Sequence, residues 1–356
     1  SGKFGFSSGL QRGTESGPAA GALQTEILRL YPIFEGRIAV AWYFVLLIVL
    51  CGLALACAVY IVCLAYFGAR WACRFKKRSR EECVQYDVAR GAYTLAELES
   101  FNREGERFRV KSEAGYELNA IRVLCGAQPS DRVVIIVHGF RCHMYTSVKY
   151  VKVFRELGFD CVIYDNRYHG ESGGDFCTLG GFETDDLISV AEVVRKMYPE
   201  STTIGLHGES MGAAIVMNAL EREFSFDFCI EDCGFASAAE QVKYLTKRYT
   251  FLLREPIYQL MLKMIYRKTG VDFVKVSPFH AVSSEQAAET PMLFIHGEAD
   301  SFVPYDNVKK LYEAKRGIKA IYTVPGARHA EALAADRKKY KEEIQKFLKE
   351  KTICMN

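Results

Sequence analysis

The sequence predicts an α/β domain, a mostly parallel sheet of about eight strands covered by helices on both faces, preceded by one transmembrane helix. Three observations predict it. From residue 106 onward short apolar runs alternate with amphipathic stretches, the pattern of a parallel sheet buried on both faces. Residues 38–69 contain no Asp, Glu, Lys or Arg. The chain has 356 residues, enough for one large domain and an appendage. Apolar residues make up 49% and charged residues 25%, which excludes a mostly disordered chain. The net charge of +3 is too small to argue for a nucleic-acid partner unless it is clustered.

The first 21 positions hold six glycines and four serines, so residues 1–37 read as a flexible N-terminal segment, with at most a short helical turn at 24–31. Residues 38–69 read as the transmembrane helix, because about 20 apolar residues already cross a hydrocarbon core. The two tryptophans, Trp42 and Trp71, stand near its ends, with Tyr43 and Tyr66 as further interfacial aromatics. The run is too long for a signal peptide and lacks a small-residue cleavage pattern. Arg70, Arg74, Lys76, Lys77, Arg78 and Arg80 follow before the first acid, Glu81. That bias predicts a single-pass protein whose C-terminal side faces the cytoplasm, with a basic flank able to meet anionic headgroups. Of the 46 basic residues, six sit here; the remaining 40 are outnumbered by 43 acidic ones. The net positive charge therefore belongs to the flank. Residues 70–105 read as a basic juxtamembrane linker that is charged and helix-prone.

Strand-like runs follow at 106–110, 116–124, 132–138, 159–165, 202–207, 226–231, 291–296 and 318–324. Helical stretches fall at 144–157, 182–198, 210–222, 305–316 and 330–349. The first two strand-like runs are adjacent and less apolar, which suggests an antiparallel edge hairpin. Twelve cysteines are too few for a disulfide scaffold at this length. Cys161 and Cys229 sit in strand-like runs, where a free thiol acts as a small apolar residue. Cys229 and Cys233 lack a second Cys/His pair at zinc spacing, so no metal is expected.

Gly208-Glu209-Ser210-Met211-Gly212 is a G-x-S-x-G pentapeptide between a strand and a helix. That context marks a nucleophile elbow, a tight turn that raises the Ser210 hydroxyl over the sheet. A serine needs a base to take its proton. Of seven histidines, His329 stands in the loop after the last strand, where its ring can reach the sheet edge. Asp300 follows the strand at 291–296 and can fix the imidazole tautomer; Glu298 is its rival. The oxyanion needs donors. The backbone N–H groups of Met211 and Phe140 are expected to supply them. Serine, imidazole, carboxylate and backbone donors suffice, so no cofactor is expected.

The motifs HGF at 138–140, YDNRYHGES at 164–172, GESMG at 208–212, HGEADSFVP at 296–304 and GARHAEA at 326–332 resemble, in order and spacing, those of α/β-hydrolase-fold serine hydrolases. The resemblance covers residues 106–350 and extends to bacterial esterase- and peptidase-like members with a single N-terminal anchor. It implies a catalytic domain at 106–356 with a helical lid at about 237–290. Asp165, Arg167, His169, Gly170 and Ser172 match a family stretch that implies a structural turn beside the site. In the lid, Tyr249, Phe251, Tyr258, Met261 and Met264 are expected to present an apolar face to the substrate; the other reading is that they pack the lid on the core. The expected reaction is hydrolysis of an ester, of a lipid or an acylated small molecule, at a membrane contacted through residues 38–69. A peptidase or amidase, or an acyltransferase, shares the mechanism. A non-catalytic scaffold usually lacks a triad member, and all three are present here. No nucleic-acid partner is expected, and the oligomeric state is open.

Overall fold

The computed structural model describes residues 18–350; of the segment 1–37 expected to be flexible, 1–17 lie outside the described residues and 18–37 are helical. The chain divides into two units between Tyr60 and Ile61. The first unit is helical. Helix α1 runs Pro18–Cys73, so it begins twenty positions before the expected start at residue 38. Proline suits a first helical position because its missing N–H would have no partner there, and the alanines and leucines that follow propagate the helix. From Gly21 to Tyr60 the described side chains are all exposed. Among the described residues this is the one helix long and apolar enough to cross a membrane, with a window of mean hydropathy 3.0 and none of it buried.

The second unit begins with the last turns of the same helix. Ala65, Ala72 and Cys73 are buried, and Ile61, Leu64 and Ala69 pack beside them. That spacing is one helical face, and its small residues let the helix approach the domain closely. Residues 38–60 alone still exceed the ~20 needed to span. The expected linker is more structured than a linker. It contains α2 (Arg80–Ala89) and α3 (Leu95–Glu104), each opened by a capping box, Ser79 with Glu82 and Thr94 with Glu97. The S-x-x-E and T-x-x-E patterns carried that signal. Leu98 and Phe101 of α3 join one of the two cores.

Eight strands form one sheet: β1 (Glu106–Lys111), β2 (Glu117–Val123), β3 (Arg132–Val137), β4 (Asp160–Tyr164), β5 (Thr203–Glu209), β6 (Phe228–Asp232), β7 (Met292–Gly297) and β8 (Lys319–Val324). Their order is β1-β2-β4-β3-β5-β6-β7-β8. The β1–β2 pair is the antiparallel edge hairpin, and β2 also runs antiparallel to β4; every other pair is parallel. Alternation along β3 sorts the two cores. Val133, Ile135 and Val137 face one, and Val134 and Ile136 the other. Between strands lie α4 (Val148–Glu156), α5 (Phe182–Met197) and α6 (Met211–Ala219). The region expected as a lid holds α7 (Ala238–Tyr249), α8 (Arg254–Thr269), α9 (Pro278–Ser283) and α10 (Glu285–Glu289). Then come α11 (Asp306–Ala314), α12 (Ala332–Ala335) and α13 (Arg337–Glu350). Helix α9 packs on α6 and α11, and α10 packs on α9, so these two short helices belong to the body. Only α7 and α8 remain free to cover the site.

Candidate active site

Ser210 sits between β5 and α6 with φ 57 and ψ −113, a sparsely populated conformation that costs about 1–3 kcal/mol. The surroundings hold it there. Its N–H donates to the Asp232 carbonyl at 2.7 Å. Gly208 and Gly212 are required by space: a Cβ would lie 2.2 Å from the Gly212 carbonyl oxygen in the first case and 2.0 Å from the Val137 carbonyl oxygen in the second. The two glycines let strand and helix close on each other around the serine.

The structure brings Ser210, His329 and Asp300 together from three separate loops. The Ser210 hydroxyl lies 2.9 Å from His329 Nε2, and His329 Nδ1 lies 2.6 Å from Asp300 Oδ2. The other carboxylate oxygen of Asp300 accepts the N–H groups of Phe302 at 2.8 Å and Val303 at 2.9 Å. Burial would raise the Asp300 carboxyl. Hydrogen bonds from His296, His329 and the Val303 N–H outweigh burial and hold it well below the ordinary carboxylate range. Asp300 is therefore ionised and accepts the Nδ1 proton, which leaves Nε2 free to take a proton from Ser210. Glu298, the rival carboxylate, is exposed and accepts the Thr323 hydroxyl instead.

Met211 opens α6, where a first-turn N–H has no intrahelical acceptor. Phe140 follows β3. Among the described residues no hydrogen bond engages either N–H. The loop carrying Phe140 is braced from behind by the segment at 165–172. His138 Nδ1–H donates to the Gly139 carbonyl at 2.8 Å, and its Nε2 accepts the Asn166 N–H at 3.0 Å. His169 Nε2 accepts the Arg141 N–H at 3.1 Å. Asp165 accepts the Met144 N–H at 2.8 Å and the Glu171 N–H at 3.0 Å. The Ser172 hydroxyl donates to the Asp165 carbonyl at 2.6 Å. A Cβ on Gly170 would collide with the Asp165 carboxyl at 2.2 Å. This segment acts as a brace, with no side chain on Ser210.

Two cavities meet at Ser210. The first, about 460 Å³, is walled by α1, α7 and α8, including Leu64, Phe67, Trp71, Leu245, Ile257 and Met261. Tyr249 and Met261 of the expected lid residues line it. Phe251, Tyr258 and Met264 do not. Phe251 is 82% exposed because it lies in the turn between α7 and α8, while Tyr258 is buried in the core and Met264 packs against it. Sequence reading missed the other wall. Trp71, expected as an interfacial residue, packs its ring on Phe140 at 5.1 Å between centroids. The packed side is the small-residue face of Ala65, Gly68 and Ala72, a pattern that Gly52 and Ala56 repeat on the exposed stretch. The second cavity, about 380 Å³, lies toward α2 and mixes charged side chains with apolar ones.

A buried ionic network beneath the serine was also missed. Glu209 pairs with Lys149 and accepts the Tyr150 hydroxyl at 2.6 Å. Tyr340 donates to Asp232 at 3.0 Å and accepts from His207 Nε2 at 2.9 Å. Burial tends to raise the Glu209 carboxyl, but Lys149 and Tyr150 outweigh it and lower it. Asp232 goes up to about 6, through burial and the neighbouring Glu209 charge. Cys233 places its thiol with the Asp300 and His329 donor atoms inside 4.8 Å, and burial keeps it protonated, well above the ordinary thiol range.

Residues 128–230 match the family described as serine aminopeptidase, S33, and residues 183–330 match the family described as serine hydrolase (FSH1). The Bacillus subtilis protein YqkD is 31% identical over 77% of this chain and 88% of its own length. The Saccharomyces cerevisiae membrane protein YNL320W is 28% identical over 56% of this chain and 63% of its own. The Pyrococcus furiosus esterase Pf2001 superposes with a TM-score of 0.57 at 20% identity, over 71% of this chain and 94% of that one; at that identity the likeness concerns the fold.

Proposed function

The chain belongs to the α/β-hydrolase-fold serine hydrolases, and on that premise we propose that it is a membrane-anchored esterase. Its substrate is an ester with an apolar acyl group, of a lipid or an acylated small molecule. Ser210 is the nucleophile, His329 the general base and acid, and Asp300 the group that fixes the imidazole. Ser210 Oγ attacks the ester carbonyl and its proton passes to His329 Nε2. The oxyanion is received by the N–H groups of Phe140 and Met211. The carbon–oxygen bond to the alcohol then breaks, and the alcohol leaves with the proton from His329. Water attacks the acyl-enzyme, gives its proton to His329, and the acid departs as Ser210 regains a proton.

The observation that carries this reading is the apolar cavity at Ser210. Its lining contains no Asp, Glu, Lys or Arg, so nothing there would hold the charged amine of an aminoacyl group. That favours a fatty acyl ester over a peptide, although one matching family is described as an aminopeptidase. Helices α7 and α8 serve as the lid.

A panel of p-nitrophenyl esters of increasing chain length, run beside aminoacyl p-nitroanilides, tests it. Esters are expected to be cleaved and octanoate preferred over acetate by about tenfold or more in kcat/KM, the scale of apolar pocket discrimination. Gly68→Leu places a Cβ 2.3 Å from Met261 Sδ and so drives bulk into the cavity. It should cut octanoate hydrolysis and spare acetate. Preference for the anilides would overturn the ester reading.

We propose that residues 38–60, the exposed apolar part of α1, form the span, and the six basic residues between 70 and 80 favour a domain at the cytoplasmic face. Protease added outside intact cells should leave the domain uncut; digestion there would reverse the topology.

A further inference from the structure

The second cavity shares Trp71, Phe140, Ser210 and Phe302 with the first. An ester whose carbonyl sits at Ser210 with its acyl chain in the apolar cavity must direct its alcohol into this second chamber. Here the lining changes character. Five cations, Arg78, Arg90, Arg141, Lys149 and Arg337, face two carboxylates, Asp87 and Glu209. Glu209 is consumed by Lys149, and Arg90 by Glu331. That leaves three guanidinium groups against one carboxylate. Arg337 donates one nitrogen to the Ala92 carbonyl. Its Nη1, and Nε of Arg141, are buried with no acceptor among the described residues. A buried donor without an acceptor is costly, the more so when charged, and a planar guanidinium suits a phosphate or carboxylate oxygen.

We propose that this chamber is the alcohol subsite and that it selects a leaving group bearing an anion, such as a phosphorylated alcohol. The inference rests on the ester reading above and adds the chemistry of the departing half. Asp87 is the opposing feature. Its carboxyl is buried, Oδ2 has no partner, and burial lifts it to about 6. One carboxylate, still largely ionised at neutral pH, does not offset three guanidinium groups. The chamber is built by residues 78–92, 139–149 and 330–337 around the serine, so the two short capped helices after the membrane helix have a place in the site.

The test compares three dodecanoyl esters in neutral detergent micelles with the full chain: of glycerol, of glycerol 3-phosphate and of choline. The phosphate ester should exceed the glycerol ester by about tenfold or more in kcat/KM, the scale of a charged pair in a site, with the choline ester lowest. Arg141→Gln with Arg337→Gln should bring phosphate and glycerol esters within about twofold of each other. Arg74→Gln with Lys76→Gln, exposed on the flank, should keep the preference. Free glycerol 3-phosphate should inhibit p-nitrophenyl octanoate hydrolysis by the unmodified protein where glycerol does not, a readout that needs no variant to fold. Equal rates, a faster choline ester, or a preference that follows the flank variant would overturn the subsite. Protein that a fluorophosphonate labels in one aliquot but that, left unlabelled, cleaves none of the three would overturn it as well. Protein that neither labels nor cleaves any ester overturns the esterase reading itself, and the subsite with it.

Discussion

Replacing Ser210 with Ala is expected to lower ester hydrolysis by about 10⁶-fold and to abolish covalent labelling by a fluorophosphonate. The reason is geometric. The hydroxyl lies 2.9 Å from His329 Nε2, and that histidine is itself tied to an ionised Asp300. Removal of Oγ removes the atom that bonds to the acyl carbon, while the two free N–H groups beside it remain. A residue of activity about 10³-fold above water is therefore expected from donors and binding alone. The fold should tolerate the change. Alanine keeps the Cβ, so the strained φ of 57 is no worse, and the backbone hydrogen bond to Asp232 persists. The loss is one half-exposed hydrogen bond, about 1 kcal/mol. Paired measurement of kcat/KM and the urea midpoint separates the two effects. A variant that folds and still labels would place the nucleophile elsewhere.

The architecture was legible because each layer left a local mark. Apolar runs marked the six strands β3 to β8, the two less apolar runs before them marked the edge hairpin, and G-x-S-x-G between strand and helix marked the elbow. The order of Ser210, Asp300 and His329 was readable because each follows a strand, and loops at that sheet edge converge. Chain pattern did not reveal where α1 stops being exposed all round and becomes a wall of the domain. Hydropathy treats Leu47 and Leu64 alike, and small residues do not separate the two stretches, since Gly52 and Ala56 repeat the spacing of Gly68 and Ala72 on the exposed part. The lid face was misassigned for a related reason. Aromatic and Met residues at helical spacing identify a packed side but not what it packs on, so Tyr258 and Met264 went to the core. Glu209 and Lys149 are far apart in sequence, and their burial together depends on tertiary closure that no local pattern encodes.

Asp300→Asn is expected to lower kcat by about 10⁴-fold, the scale seen when a carboxylate that sets a histidine tautomer becomes an amide. The amide oxygen can still accept the Phe302 and Val303 N–H groups, as Oδ1 does now at 2.8 and 2.9 Å. The amide nitrogen then faces His329 and donates to Nδ1. That places the imidazole proton on Nε2, where the Ser210 proton has to go. The chemistry fails although the shape is kept. A second readout distinguishes this from a general loss of packing. The Asp300 carboxyl titrates lower in the folded chain than in the unfolded one, so its ionised form stabilises the fold above the ordinary carboxylate range near pH 4. That contribution is lost as pH falls through the lower folded value. The stability gap between wild type and Asp300→Asn should accordingly be full at pH 7 and narrow steadily below about pH 4. A gap that widens on acidification would show that His329 and the two N–H groups do not hold a carboxylate, and the base would need a different partner.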